Sequence, residues 1–330
     1  MKKVVLLILI FSIALSLTTE AKEKLAQTGM QFLSVSTDSR AAGMGEAVST
    51  LNLKSTSLFF NPAAMANLGA LFDVTFSQVG WIADIKINSF SAAFSPANGM
   101  YGVFGITVTS IDYGEIEGTM VWSNPQGYID TEILKPSALA VGLGYARALS
   151  DKFSIGGQVR MVKEYLGKSV VPIGETGDYK VKKNLANAVA FDFGTLYKTG
   201  FKSLTIGMNI RNFSNEITYE DEGFQLPLTF KIGISMNLVD LMDQEKYKAH
   251  ELYLSIDAIH PRSHSEQLNV GMEYGFLKTF YARFGYMYNY DEYGITYGFG
   301  ITKFGVSFDY SYTPFKTFDN VQRITARYSF

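Results

Sequence analysis

From about residue 71 to the last residue, large apolar side chains alternate with polar or small ones. In residues 228–236 the even-numbered positions are large and apolar, whereas the odd-numbered positions are polar or glycine. Because neighbouring residues of a strand point to opposite faces, each such run predicts a β-strand with one apolar and one polar face. About fourteen runs occur, beginning near residues 71, 85, 100, 137, 153, 186, 203, 227, 250, 266, 280, 294, 304 and 321.

This alternation fits either a soluble two-layer sandwich or a transmembrane barrel. The runs approach the ~10 residues that a tilted membrane-spanning strand needs. Short turns, such as residues 150–152, alternate with longer polar loops, such as residues 114–136. Many of the 25 Phe and 20 Tyr lie near strand ends, as in the aromatic girdles of membrane proteins. We therefore predict an all-β fold, a transmembrane antiparallel barrel of about 14 strands formed by residues 71–330.

Charged residues of both signs fall on the polar face of these runs. A charge that faces lipid at mid-depth costs roughly 2–4 kcal/mol, so this face is predicted to line the lumen. The charged residues assigned to it are Arg160, Asp192, Arg211, Lys231, Glu251, Asp257, Glu273, Arg283, Asp309, Arg323 and Arg327.

The N-terminus has the features of a secretory signal peptide. Lys2 and Lys3 precede a short apolar stretch, residues 4–17, which leads into Thr19-Glu20-Ala21. We predict that residues 1–21 are removed and that the protein is exported to the bacterial outer membrane; an anchor helix is the alternative, although the stretch is short for a bilayer. The absence of cysteine excludes disulfides and thiolate metal sites. A net charge of -2 gives no basic surface for nucleic acid.

Residues 22–70 lack this alternation and are rich in small residues. Residues 59–68 predict a turn followed by one short helix, with Asn61 as its cap and Pro62 in its first turn. This part of the chain is too short to form a core of its own. We therefore predict an N-terminal hatch, or plug, that packs inside the barrel against the charged luminal face.

Three stretches of this part, Phe32-Leu33, residues 40–47 and Phe60-Asn61-Pro62-Ala63-Ala64, resemble the opening of the PorV/PorQ family, within the wider group of FadL-like outer-membrane barrels. Later stretches agree, among them Arg283-Phe284-Gly285-Tyr286. The resemblance covers essentially the whole mature chain. It departs from the family at Phe60 and Ala64, where the family usually has Trp and Gly.

The resemblance implies a fourteen-stranded barrel with an N-terminal hatch. In PorV proteins such a barrel serves type IX secretion and collects substrates with a C-terminal signal domain; in FadL-like transporters the hatch lies beside the path of a hydrophobic ligand. The alternative is that the motif residues only fold and seat the plug, since glycine permits turns closed to other residues. The candidate site residues are Arg40, Gly43, Gly45, Phe60, Asn61, Pro62 and Ala63.

The chain ends in a run whose alternate residues, Ile324, Ala326, Tyr328 and Phe330, share one face. A last strand that ends in Phe is similar to the assembly signal of outer-membrane barrels. We therefore expect Tyr328 and Phe330 to be recognised during barrel assembly; the alternative is an ordinary last strand.

The sequence gives weak indications of catalysis. His260 and His264 are four residues apart, but Pro261 intervenes and no helix is predicted, so a metal pair is not expected. Ser263 lies close to them, as a barrel lipase would require, but nothing fixes an orienting third group. Glycine strings such as Gly142-Leu143-Gly144 predict small luminal residues rather than phosphate loops. We predict no catalytic residue, no metal and no cofactor.

Two functions remain open, besides that of an unspecialised structural barrel. The first is a non-catalytic component in protein export or surface attachment of the type IX kind. The second is a FadL-like transporter of hydrophobic small molecules such as long-chain fatty acids, with Phe59, Phe60, Met65 and Leu68 as apolar lining. The expected partners are outer-membrane lipids, the barrel assembly machinery, and either a secretion translocon with its cargo proteins or a hydrophobic ligand.

Overall fold

The computed structural model describes residues 28–173, 178–219, 222–242 and 246–330. The predicted signal peptide and residues 22–27 of the predicted plug lie outside the described residues. Fourteen strands form a closed barrel in which every neighbouring pair is antiparallel, which confirms the predicted fold class. The barrel strands are β1 (Phe72–Gly80), β2 (Lys86–Phe94), β3 (Val103–Asp112), β6 (Ser137–Ala148), β7 (Phe153–Ile173), β8 (Asp178–Lys198), β9 (Thr205–Phe213), β12 (Thr229–Asn237), β13 (His250–Pro261), β14 (Gln267–Phe276), β15 (Phe280–Tyr288), β16 (Ile295–Lys303), β17 (Val306–Thr313) and β18 (Val321–Ser329).

The barrel closes between its first and last strands. Asp73 of β1 lies opposite Ser329 of β18, and the pairing continues to Gly80 opposite Gln322. The C-terminus therefore lies at the end of the barrel that carries the short turns. Short turns mark the periplasmic end of such barrels and long loops the extracellular end.

Strand β8 begins earlier than the alternation predicts, at Asp178 rather than near residue 186. The strands β7 and β8 pair with each other over most of their 21 residues and extend beyond the other strands as a hairpin. Above the membrane neither face meets lipid, so apolar alternation is lost while backbone pairing continues. Two other predicted loops contain small ribbons, β4 (Ile116–Val121) with β5 (Tyr128–Leu134) and β10 (Ile217–Thr218) with β11 (Gly223–Phe224).

The two faces of the barrel follow the predicted alternation. In β12, Phe230, Ile232 and Ile234 are exposed on the outer surface, whereas Lys231 and Ser235 are buried on the inner surface. The eleven charged residues assigned to the lumen are all buried or half-buried. The wall therefore presents an apolar surface to lipid and a charged surface to the lumen.

Residues 28–71, named here the luminal segment, lie inside the barrel. They form one short α-helix, α1 (Ser39–Gly43), and three 3-10 helices, Gln31–Ser34, Lys54–Phe59 and Pro62–Asn67. Thr28 bridges to Gln225 near the extracellular end, and Leu71 reaches the periplasmic end, where its N–H donates to the Phe330 carbonyl at 2.8 Å. Three further 3-10 helices, Ile82–Asp84, Pro96–Gly99 and Leu238–Leu241, lie in connections between strands. No helix among the described residues has the length and apolar character needed to cross a membrane.

Candidate functional site

Helix α1 carries the first candidate residue, Arg40. The helix is capped by Asp38, whose Oδ1 accepts from Ala41 N at 2.9 Å. Arg40 then points at β14, where its Nε and Nη2 donate to the two oxygens of Glu273 at 2.8 and 2.7 Å. Burial disfavours the charged guanidinium, but the Glu273 carboxylate more than offsets this, so the pKa of Arg40 lies above its ordinary value.

Arg40 is one end of a charged network on the wall. Glu273 also accepts from Arg283 Nε at 2.6 Å, and Arg283 Nη1 donates to Asp309 at 2.7 Å. The side chains of Glu273, Arg283 and Asp309 are all nearly inaccessible to solvent. Because each carboxylate has a guanidinium partner, the network fastens the luminal segment without leaving a buried charge unpaired.

Gly43 and Gly45 pass close to the strands β15 and β16. A Cβ on Gly43 would lie 2.9 Å from the Cα of Gly298. Gly45 has a φ of +60°, which a residue with a side chain rarely adopts. Thr296 of β16 joins the two, because its Oγ1 donates to Gly43 O at 3.2 Å and accepts from Gly45 N at 3.0 Å. Both glycines are therefore required for the close approach of this segment to the wall.

The wall receives the luminal segment at four pairs of glycines that lie directly opposite each other on neighbouring strands. The pairs are Gly105 with Gly144, Gly156 with Gly194, Gly207 with Gly233, and Gly271 with Gly285. Leu58 and Met65 contact the first pair, Asn61 and Pro62 the second, Ser49 the third, and Met44 and Gly45 the fourth. Each pair thus removes two side chains from the wall where a luminal residue approaches.

Asn61, Pro62 and Ala63 lie against the strands β7 and β8. Asn61 Oδ1 accepts from Ala63 N at 3.1 Å and so caps the 3-10 helix that begins at Pro62. Its Nδ2 donates to Ser49 O at 2.7 Å and to Thr195 O of β8 at 3.1 Å. One side chain therefore caps a helix, links two parts of the luminal segment and binds the wall.

Phe60 lies between the two groups of candidate residues. It is buried against Met44, Val48, Leu51 and Leu53 of the luminal segment. The structure thus does not gather the candidate residues around one point. Arg40, Gly43 and Gly45 lie against β14–β16, and Asn61–Ala63 lie against β7–β8, with Phe60 in the apolar cluster between them.

The described part of the chain leaves a large cavity at each end of the lumen, and no residue lines both of these cavities. The outer cavity, about 770 Å³, opens among the extracellular loops and has an apolar wall that includes Phe32, Leu33, Ile87 and Ile111. The inner cavity, about 560 Å³, opens among the periplasmic turns and is lined mainly by polar and charged residues. The buried middle of the luminal segment lies between them.

The outer cavity contains a polar group that the sequence did not indicate. The Glu164 carboxylate accepts from Tyr113 OH at 2.9 Å and from Tyr219 OH at 2.7 Å. Burial, helped by this carboxylate, raises the pKa of both tyrosines above their ordinary range, so both remain O–H donors. The alternation of β7 already places Glu164 on the luminal face, but its two partners lie in separate loops, which the alternation does not relate to it.

The C-terminal residues lie at the seam where β18 meets β1. The Phe330 carbonyl accepts from both Leu71 N and Phe72 N, at 2.8 and 3.0 Å. Its ring stacks on Phe72 with centroids 5.4 Å apart and on Tyr328 with centroids 5.6 Å apart. Tyr328 and Phe330 are exposed on the lipid side at the periplasmic end.

The histidines belong to the barrel rather than to the luminal segment, and His264 lines the outer cavity. His260 Nδ1 is 3.1 Å from Glu266 Oε1, and His264 Nδ1 is 2.9 Å from Ser263 Oγ. Across the described ranges, no three His, Asp or Glu side chains are placed to hold a metal ion.

Solved structures share this barrel. The Ralstonia pickettii toluene transporter TbuX is 13% identical, with a TM-score of 0.58, covering 88% of this chain and 97% of that chain. The Pseudomonas putida toluene transporter TodX is 12% identical, with a TM-score of 0.57, covering 87% and 95%. A Pseudomonas aeruginosa FadL homologue is 12% identical, with a TM-score of 0.53, covering 89% and 98%. At such low identity the likeness is one of fold.

Among curated proteins, none matches this sequence significantly. The family model of the type IX secretion system protein PorV, however, matches residues 18–255. This range includes the whole luminal segment and most of the barrel, and it confirms the resemblance seen in the sequence. The barrel fold and the family together place the protein in the bacterial outer membrane. The chain belongs to the PorV family of type IX secretion system proteins.

Proposed function

We propose that this protein is a non-catalytic docking barrel in protein export or surface attachment by a type IX secretion system. Membership of the PorV family, matched over residues 18–255, carries this proposal. The partners would be a secretion translocon and cargo proteins. Barrel assembly machinery would insert the chain and would recognise Tyr328 and Phe330.

The filled lumen supports docking over passage of cargo through the barrel. We propose that residues 22–70 form a hatch that stays in place while cargo binds outside the lumen. Arg40, Gly43, Gly45 and Asn61 would seat this hatch, through the contacts with Glu273, Gly298, Thr296 and Thr195 described above.

Gene deletion tests the export role. Proteins of the cell surface and the culture medium are compared by mass spectrometry in the wild type, the deletion strain and the complemented strain. We expect proteins with C-terminal sorting domains to be lost from both fractions and restored by complementation. Unchanged delivery of these proteins would refute the proposal.

A FadL-like transporter of hydrophobic small molecules is the second candidate. The outer cavity and its apolar wall favour it, as does the similarity to two toluene transporters and a FadL homologue. Uptake of a labelled long-chain fatty acid, with and without the protein, distinguishes the two functions. The variant Ile111→Trp, which reduces the outer cavity, should lower uptake if the protein is a transporter and leave export unchanged if it is a docking barrel.

The absence of catalysis is part of the proposal. The Ser263–His264 contact uses Nδ1 of the histidine, and the described residues place no carboxylate on the other ring nitrogen to orient it. Esterase activity of the purified protein that disappears in His264→Ala or His260→Ala would overturn this part.

A further inference from the structure

The lining of the inner cavity contains more cationic than acidic side chains. Six of its lining side chains are cationic and three are acidic. A cleft lined mainly by one sign of charge concentrates ligands of the opposite sign. The cations are Arg40, Lys54, Lys198, Lys202, Arg283 and Arg327, and the acids are Glu251, Glu273 and Asp309.

Two of the three acids, and three of the six cations (Arg40, Arg283 and Arg327), are engaged in ion pairs. Glu273 binds two guanidinium groups and Asp309 binds one. The carboxylates that face Arg327, those of Asp38 and Asp73, are wholly buried behind the cavity wall. By contrast, Lys54, Lys198 and Lys202 have no carboxylate within 4 Å in the described parts of the chain.

Lys54 is held in the cavity wall rather than free in solvent. Its backbone has a φ of 57°, and its Nζ donates to Ser329 Oγ at 2.7 Å. The side chain is half-buried, and burial together with Arg327 and Arg40 lowers its pKa, although Asp73 opposes this. A partly desolvated cation that lacks a direct anionic partner favours binding of an anion from outside.

The cations do not converge on one point, because Lys54 binds β18, whereas Lys198 and Lys202 lie at or just after the end of β8 on a distant part of the wall. Lys198 is fixed at the end of β8, where its Nζ donates to Asn67 Oδ1 at 2.9 Å, and Lys202 follows in the next turn. Hydroxyl groups of Thr50 and Thr205 and the ring of Tyr253 also line the cavity. A volume of about 560 Å³ is within the range of small-ligand sites, roughly 300–1,000 Å³. Separated cations and hydroxyl groups in the same lining fit a short chain of several carboxylates and amides better than one small anion.

We propose that the inner cavity is a binding site for an acidic peptide segment of a periplasmic protein. Carboxylates of the segment would bind Lys54, Lys198 and Lys202, and its backbone N–H groups would donate to the hydroxyl oxygens. This site lies at the opposite end of the barrel from the outer cavity, and it does not depend on the proposed docking of cargo.

The test uses the full-length protein in detergent and fluorescein-labelled hexaglutamate. Binding is measured by fluorescence anisotropy at ~0.15 M salt. We expect hexaglutamate to bind, and its affinity to fall about tenfold or more in Lys54→Gln/Lys198→Gln/Lys202→Gln. The matched control Lys152→Gln/Lys278→Gln/Lys303→Gln removes three lysines in or beside periplasmic turns that do not line the cavity and should bind as the wild type does.

A second measurement covers the case in which the triple variant folds poorly. Because the chain has no cysteine, Lys202→Cys can be labelled with a bulky maleimide and should then lose hexaglutamate binding. The same label on His264→Cys, at the outer cavity, should leave it unchanged. Absence of hexaglutamate binding, an equal loss in the control triple variant, or equal competition by inorganic triphosphate would overturn the proposal. Because none of these readouts involves secretion, the proposal can fail while the export function stands.

Discussion

The Arg40 guanidinium and the Glu273 carboxylate form two parallel hydrogen bonds, 2.8 Å from Nε to Oε2 and 2.7 Å from Nη2 to Oε1. The two residues are 233 positions apart in the sequence. The pair joins helix α1 in the lumen to β14 in the wall, and Arg283 shares the same carboxylate. The luminal segment is therefore held by a charged contact with fixed geometry. A change at either residue should weaken the attachment of helix α1 to β14.

Replacement of Arg40 by Ala should loosen the luminal segment. Loss of one partner from a buried ion pair costs roughly 3–5 kcal/mol when the other charge is left alone. Since Glu273 keeps Arg283, we expect a smaller loss of stability, below about 3 kcal/mol. Limited proteolysis of residues 28–71 and the temperature at which the folded gel mobility is lost measure it. Arg40→Lys keeps the charge but loses the two parallel hydrogen bonds of the guanidinium, so its stability should lie between those of the wild type and Arg40→Ala. Equal losses of stability in the two variants would contradict a role for the paired geometry.

Gly156 and Gly157 provide a matched pair of substitutions. A Cβ on Gly156 would lie 2.5 Å from the carbonyl carbon of Pro62, whereas a Cβ on Gly157 would meet nothing closer than 3.4 Å. Overpacking of this kind costs typically about 1–3 kcal/mol. Gly156→Ala should therefore lower the thermal transition and expose residues 61–67 to protease. Gly157→Ala should be close to neutral, and a similar effect at both positions would show that the luminal contact does not matter.

Substitutions at Asn61 separate its two roles. Asn61→Ala removes the cap of the helix beginning at Pro62 and both donor bonds, at a cost near the upper end of the roughly 0.5–2 kcal/mol found for caps. Asn61→Asp keeps the cap but turns a carboxylate towards the carbonyls of Ser49 and Thr195. Because the site is buried, we expect Asn61→Asp to be the more destabilising variant in thermal unfolding. If Asn61→Asp matched the wild type, the donor bonds would be unimportant.

Phe330 should matter for assembly more than for the finished barrel. Its ring is on the lipid-facing side of the seam, stacked on Phe72. Phe330→Ala should lower the amount of folded protein in the outer membrane, while the protein that does assemble unfolds near the wild-type temperature. Phe304→Ala, at another exposed aromatic of a periplasmic turn, is the control. Equal amounts of assembled protein in the wild type and in Phe330→Ala would contradict a role of Phe330 in assembly.

The Tyr113–Glu164–Tyr219 group should persist to high pH. Burial and Glu164 raise both tyrosine pKa values, so their contribution to stability is complete below the unfolded value of about 10. It is lost only as pH rises through the folded pKa values. A spectrophotometric titration should show a fraction of the tyrosines that ionises at higher pH than the rest. This fraction should be smaller in Tyr113→Phe/Tyr219→Phe. Ionisation of all tyrosines near pH ~10 in the folded protein would contradict this assignment.

The strands and their faces follow from the sequence because side-chain direction in a strand is a local property. A barrel in lipid must keep apolar residues outside, so Phe230 and Ile232 on one side and Lys231 on the other could be assigned before any pairing was known. The start of β8 was missed for the same reason. Above the membrane, residues 179–185 meet water on both sides, and the alternation that marks a strand is not required.

The sequence by itself determined the fold class, the location in the outer membrane and the family, through alternation and a few short motifs. Only the tertiary structure decided what the motif residues contact. The opposed glycine pairs depend on the register between neighbouring strands, and the Arg40–Glu273 contact joins residues that are 233 positions apart. The two cavities likewise arise where the luminal segment leaves space, and no local pattern encodes the volume between elements that meet only after folding.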